Sequence, residues 1–353
     1  MCLNCGHVQL SHFVDPIEIY SEYIYKTSDS LGLNTHFDSF AQDLKDYLNT
    51  NKKMNLLEMG CNDGTLMQYF KELGFETLGI DPAAIPAQEA RKKGLNIIES
   101  YFSKSILDKI KEIMPTVNVI VANNVIANVK DLNSVFDGFS ELLSEDGLIV
   151  FETGYLKYLS ELKVIDNVHH EHVDYFSILP LTKFFETKGL YIDRVLINES
   201  KGSSIRVFLR RGKKDQTPKQ VRDICSQEIA NGYFNKATYV RLERDILQEE
   251  KRLRDFILRA KNKGLLVVGY GAAIGTTTLL SALNIAKEID LLLDDNPRRK
   301  GKFAPGTGIV VQSLEEILDL QCAVIIFAWR YQTTIKARIG NEIAIKQITH
   351  IWG

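Results

Sequence analysis

"MNLLEMGCNDG", Met54–Gly64, runs from a short apolar stretch into a turn that is rich in glycine and acid, and "TLMQYFKELG" continues it at helical spacing as far as Gly74. A strand, a tight turn and a helix in that order open a parallel α/β unit. Gly60 and Gly64 allow the backbone to turn sharply and come close to a ligand, while Glu58 and Asp63 place carboxylates at the carboxyl end of the strand. A phosphate at this turn would want a lysine or bare amides, and acidic side chains repel it. The acids suit a cationic ligand with amino and hydroxyl donors, which points to S-adenosylmethionine rather than a dinucleotide. "FETLGIDP" then reads as a second strand ending on Asp81, where a carboxylate accepts from ribose hydroxyls. With Asn62, these residues form the expected cofactor site; a turn capped by its own acids and holding no ligand is the other reading.

The same alternation continues outward. "VNVIVANNVIANV" (Val117–Val129) and "GLIVFETGYL" (Gly147–Leu156) are apolar strands separated by a helical stretch, Leu132–Leu143, and upstream the spacing over 36–49 predicts an amphipathic helix. Such a pattern implies a parallel sheet covered on both faces. From Pro218 to Lys263 the chain turns highly charged, with Leu242, Ile246, Leu253 and Ile257 on one stripe, as in a surface or connecting helix. A second alternation begins at "LLVVGYGAAIGTTTLL" (Leu265–Leu280). The expected fold class is therefore α/β, a Rossmann-like class I methyltransferase domain followed by a smaller Rossmann-like domain. The expected boundaries are 1–30, an N-terminal knuckle and substrate loop; 31–212, the methyltransferase domain; 213–263, a helical connector; and 264–353, the second domain.

Composition excludes several classes of function. Over 353 residues, 43 Lys and Arg against 45 Asp and Glu leave a net charge of -2, so no global positive field draws nucleic acid or an anionic membrane. No apolar run approaches the ~20 residues of a membrane span, and the N-terminus does not read as a signal peptide, which makes a cytoplasmic location the expectation. Five scattered cysteines do not form a disulfide framework. Cys2 and Cys5, in "CLNCG", are half of a tetrahedral zinc site, with His7 or His12 as conceivable further ligands, and a chain opening on such a pair suggests an upstream half. In "GYGAAIG", Gly269, Gly271 and Gly275 miss the dinucleotide spacing by one residue, so a packing role is as good a reading as a ligand site.

The remaining concentration of chemistry is "HHEHVDYF", His169–Phe176, with three of the seven histidines around one glutamate. HExxH is absent. On a strand His170 and His172 would share a face while Glu171 points away. A metal pair, a polar turn and a proton-transfer centre all fit the residues alone.

The order of motifs resembles a known family, the S-adenosylmethionine-dependent C-methyltransferases that act on nucleotide-linked deoxy-keto sugars. Its carriers are "CLNCGHVQL", "YIYKTSDS" (Tyr23–Ser30) with His36, "LEMGCNDG", "NNVIANV", "HHEHVDYFS", "GSSIRV" (Gly202–Val207), "GYGAAIG" and "DDNPRRKGKFAPGTGIVV". The resemblance implies that His172 takes a proton from the carbon beside a ketone, with Glu171 and His169 in the same cluster, and that the enolate attacks the sulfonium methyl. Such a base suits an imidazole, which titrates near neutral pH. It also implies Asn123 and Asn124 at the methionine end of the cofactor. Tyr25, Ser28, Ser30, Ser203, Arg206 and Tyr270 would face a nucleotide sugar, with deoxythymidine diphosphate the expected carrier. The chain departs from the family at His169, where a tyrosine is usual, at Asn128, at Ser203 in "GSSIRV", and at Ile274, where a lysine is common; these changes point to an altered substrate or an altered reaction. An O- or N-methyltransferase on a sugar nucleotide, and an NAD(P)-dependent oxidoreductase or nucleotide-sugar binding protein, are the rival functions.

Overall fold

The computed structural model describes residues 1–20, 26–29, 32–161, 163–200, 203–340 and 345–352. Tyr25 and Ser30, expected at the sugar, lie outside the described residues. The chain divides into two compact units, Met1–Lys157 with His170–Phe234, and Tyr158–His169 with Asn235–Gly353.

The strands of the first unit are β1 (Val8–Gln9), β2 (Asn55–Met59), β3 (Glu76–Asp81), β4 (Asn96–Glu99), β5 (Val117–Asn123), β6 (Leu143–Gly154), β7 (Asp174–Tyr175), β8 (Leu190–Asn198) and β9 (Ser204–Arg211). Seven of them form one sheet in the order β4-β3-β2-β5-β6-β9-β8. Pairing is parallel as far as β6, and β9 then runs antiparallel to both β6 and β8. Strands β2 and β5 read as almost continuous apolar runs because both faces of a parallel sheet are covered. One cover is the helix Leu33–Leu48, which begins three residues before the predicted start; its Phe37, Phe40, Ala41 and Leu44 pack with Leu56, Val121, Val150 and Phe208. The sheet order reverses between β2 and β5, so their carboxyl ends splay apart into the crevice where open α/β sheets take ligands.

The second unit has β10 (Leu266–Tyr270), β11 (Leu291–Leu293), β12 (Val311–Gln312), β13 (Cys322–Ile326) and β14 (Ile345–His350). They form a wholly parallel sheet in the order β12-β11-β10-β13-β14, the same winding as β4-β3-β2-β5-β6.

The charged stretch expected as a connector over 213–263 is instead two helices, Lys219–Ala230 and Lys236–Lys261, one in each unit. The second is a core element: Leu253, Phe256, Ile257 and Ala260 are buried against Val267, Leu280 and Ile325. Its 26 residues carry so much charge on the outer face that the buried stripe is diluted in the sequence. In the first, Glu228 is buried and caps a neighbouring helix. Its carboxylate accepts from the amides of Ile178 (2.6 Å) and Leu179 (2.8 Å), at the start of Ile178–Glu186, and from the Tyr155 hydroxyl (2.9 Å). Those amides have no acceptor within their own helix, which accounts for a buried acid there.

Candidate active site

A cavity of about 550 Å³ opens at the carboxyl ends of β2, β3 and β5, within the range of small-molecule sites. Gly60, Asn62, Asp81, Asn123 and Asn124 line it, as the sequence leads one to expect, together with Tyr20, Phe37, Tyr101 and Phe102. Glu58, Asp63 and Gly64 support the turn from behind. Gly60 has φ +73°, and a Cβ there would stand 2.8 Å from Val125. Gly64, at φ +72°, is needed for packing, since its Cβ would meet Leu95 at 2.3 Å.

Asp81 is fixed by backbone. One carboxylate oxygen accepts from Asn62 N (2.8 Å) and the other from Ala83 N (2.9 Å). Two lone-pair positions of the carboxylate remain, and Asp81 lines the cavity. Burial raises its pKa, so donors from a ligand would be well received. Burial, with Asp81 and Asp63 nearby, also pushes Glu58 well above the usual carboxylate range, and its Oε2 is buried without a partner. Asp63 is the opposite case: burial is outweighed by donors from Ser28 and Thr65, which hold its pKa low. The Asn62 Oδ1 likewise accepts from Thr27 N (2.9 Å), so Asn62 and Asp63 anchor the turn Thr27–Asp29 beside the cavity. Ser28 is therefore near the first turn through its backbone amide.

These residues fit S-adenosylmethionine. Asp81 is placed for ribose hydroxyls, Tyr101 and Phe102 provide an apolar wall beyond β4, and Asn123 has a buried Nδ2 donor without a partner at the cavity. A donor left over at that end suits a carboxylate, and the acids of the first turn suit an ammonium group. The aromatic pair was not anticipated from sequence, although its place just past a strand end is the signal that would have found it.

The segment of the expected base borders this site. Val173 N donates to Ala127 O (2.7 Å), in the loop that leaves β5. The charge of Glu171 adds to burial in raising the pKa of Tyr20, whose hydroxyl receives Asn128 Nδ2 at 2.8 Å. Glu171 and His172 are half-buried and His170 is exposed, all in the first unit, whereas His169 belongs to the second.

Other expected residues are committed elsewhere. Arg206 is buried and pairs with the wholly buried Glu152 (Nε 3.0 Å, Nη2 2.9 Å) while its guanidinium lies 3.6 Å from the Phe40 ring centre. Glu152 also receives His36 Nε2 (2.6 Å) and Asn198 Nδ2 (2.9 Å); burial alone would raise its pKa, but His36 and Arg206 hold it low. Ser203 donates its hydroxyl to Asn198 O (3.0 Å) at the β8–β9 turn. Tyr270, in the second unit, donates to Asp295 (2.9 Å). Cys2 is exposed and Cys5 half-buried, and among the described residues no three His, Cys, Asp or Glu gather as a metal site. The conceivable further ligands are engaged: His7 Nε2 bonds Asp174 (2.7 Å) and His12 Nδ1 bonds Ser11 (2.9 Å). Among the described residues no helix is long and apolar enough to cross a membrane.

Sequence comparison places the chain among S-adenosylmethionine-dependent methyltransferases. A methyltransferase domain model matches residues 34–195, and a C-methyltransferase C-terminal domain model matches residues 199–347. The C-methyltransferase NovU of Streptomyces niveus is 26% identical over 345 residues, 97% of this chain and 81% of that protein. A ubiquinone biosynthesis O-methyltransferase of Colwellia psychrerythraea is 26% identical over 149 residues, 39% of this chain and 61% of its own length. Among solved structures, magnesium protoporphyrin IX methyltransferase from Synechocystis with bound S-adenosylhomocysteine overlaps 56% of this chain and 92% of that one, with 13% identity and a TM-score of 0.41.

Proposed function

We propose that this chain, an S-adenosylmethionine-dependent methyltransferase by its sheet order and its family matches, methylates the carbon beside a ketone in a nucleotide-linked deoxy sugar. The observation that carries the reading is the fastening of the 170–176 segment beside the cavity through Val173 N and Ala127 O, four residues past Asn123. A base on that segment stands next to the place where a methyl acceptor would enter.

Gly60, Asn62, Asp81, Asn123 and Asn124 would hold S-adenosylmethionine, which when bound supplies an electrophilic methyl group on a sulfonium. His172 removes the proton from the carbon beside the ketone, leaving an enolate with its charge on oxygen, and Glu171 beside it favours the imidazolium that results. The acidic first turn orients the amino-acid end of the cofactor, and the aromatic wall keeps water from its adenine. Holding the two partners in contact geometry is itself a large part of the acceleration. Support for carbon as the acceptor comes from the C-methyltransferase domain match over 199–347 and from the relative that spans nearly the whole chain. The order of the sequence motifs supplies the sugar-nucleotide class.

The test is proton NMR in D2O with purified enzyme, S-adenosylmethionine and a panel of keto-deoxysugar nucleotides. Exchange of the proton beside the ketone and a new carbon-bound methyl are expected, and His172→Ala should slow the exchange by about 100-fold or more. A second reading, methylation of a hydroxyl, is favoured by the O-methyltransferases that match the first domain. It predicts a methyl on oxygen with no exchange at carbon, and that outcome would replace the carbon reading.

A further inference from the structure

The N-terminal arm is joined to both halves of the site. Strand β1 pairs with β7 antiparallel, Val8 opposite Tyr175 and Gln9 opposite Asp174. Leu10 N donates to Val173 O (2.8 Å), whose own amide is the one bound to Ala127 O. His7 Nε2 meets the buried Asp174 carboxylate at 2.7 Å, and its ring lies 5.6 Å from that of Phe176. Farther along the same arm Pro16 and Tyr20 line the cavity, and Pro16 O accepts from the Tyr101 hydroxyl (3.0 Å). The turn of Cys2–Gly6, closed by Cys2 N to His7 O and Gly6 N to Cys2 O, delivers His7 to its place.

We propose that His7 and Asp174 are positioning residues: their pair, with the β1–β7 ladder, sets the catalytic segment in register with the cofactor cavity. The proposal rests on the C-methylation reading for its kinetic consequence and on geometry alone for its structural one. The backbone of Val173 is gripped on one side by the arm and on the other by the loop after β5. One residue upstream is His172. A base whose backbone shifts by a fraction of an ångström loses its aim at a carbon-bound proton, whereas a cavity bounded by β2, β3 and β5 keeps its shape. The His7–Asp174 pair thus acts on the chemical step and not on cofactor affinity.

The experiment compares wild type, His7→Ala, Asp174→Ala and His7→Gln, the last keeping a donor that reaches Asp174. Turnover of a keto-deoxysugar nucleotide, affinity for S-adenosylhomocysteine, and amide exchange of the 170–176 peptide in the S-adenosylhomocysteine complex are measured on each. The alanine variants should lose about tenfold in kcat, keep the product affinity within about twofold, and exchange the 170–176 amides faster. His7→Gln should recover most of kcat. Unchanged kcat with faster exchange, or a loss of product affinity that parallels the loss of kcat, overturns the proposal. If the wild type turns over no keto sugar, the C-methylation reading fails, and the arm is judged by exchange: unaltered protection of 170–176 in His7→Ala overturns it.

Discussion

Asp81 follows Ile80 at the end of β3, and Asp294 follows Leu293 at the end of β11. The two carboxylates sit in the same backbone device. Gly60 N bonds Ile80 O (2.8 Å) as Gly271 N bonds Leu293 O (2.7 Å). Each acid then accepts from the first turn, Asn62 N or Ala272 N, both at 2.8 Å, and from the amide two residues beyond itself, Ala83 or Asn296, both at 2.9 Å. What differs is the side chains around them. Asp81 borders the open cavity, whereas Asp294 is met by Arg299 Nη1 at 2.8 Å. Two residues before the glycine, β2 carries the buried Glu58 and β10 carries Gly269, where a Cβ would stand 2.5 Å from Leu292. The backbone device recurs in both units; whether a ligand can use its acid depends on the side chains around it, the cation that meets Asp294 and the acid that Gly269 replaces.

The sharpest way to break this comparison is to remove each acid in turn. Asp81→Ala should weaken S-adenosylhomocysteine binding by about 2–3 kcal/mol, on the order of 30- to 150-fold, because two charge-assisted hydrogen bonds to a ribose are lost. Asp294→Ala should leave that affinity unchanged and lower the thermal midpoint, since two amides and Arg299 lose their partner. Calorimetry on both variants decides it. Equal losses of affinity would mean that the second turn also holds the ligand.

A smaller effect separates Glu58 from Gly269. Burial first, then Asp81 and Asp63, raise the Glu58 pKa well above the carboxylate range. The stability this group contributes is complete below its ordinary unfolded pKa and is lost as pH rises through the folded value. Glu58→Gln removes that loss. The ligand-free variant should therefore be more stable than wild type at pH 8, by about 1 kcal/mol, with the gap closing towards pH 5, as read from denaturant midpoints. A gap that grows on acidification would show that Glu58 is ionised in the folded protein.

The first turn was legible because its glycines, its acids and the next strand's Asp81 lie within 28 residues of sequence, and alternation of apolar runs with helical periods gave both sheets. The contacts that sequence did not reveal are those whose partners are remote. Arg206 answers Glu152 across the β6–β9 pair, 54 residues away. Glu228 answers the amides of a helix 49 and 50 residues upstream, and His7 answers Asp174 at a separation of 167. No local period marks such pairs, and a buried charge looks in sequence like an exposed one. Interleaving of the units had the same source: 158–169 and 170–234 are contiguous in the chain, yet different cores claim them. The helix Lys236–Lys261 was misplaced because its buried face is a minority of its residues.

The finest test of the comparison is Arg299, one of the side chains that distinguish the surroundings of Asp294 from those of Asp81. Its side chain is 41% exposed, so solvent screens the pair and its loss should cost no more than about 1 kcal/mol. Asp294 would keep both amides and remain folded in place. If topology alone made the first turn a ligand site, Arg299→Ala would turn the second into one, and calorimetry with S-adenosylhomocysteine would rise from one equivalent bound to two. The expected outcome is one equivalent, because Gly269 leaves the second turn without the acid that Glu58 provides, and because Tyr270 keeps Asp295 occupied beside it. A second equivalent would narrow the difference between the two turns to a single arginine.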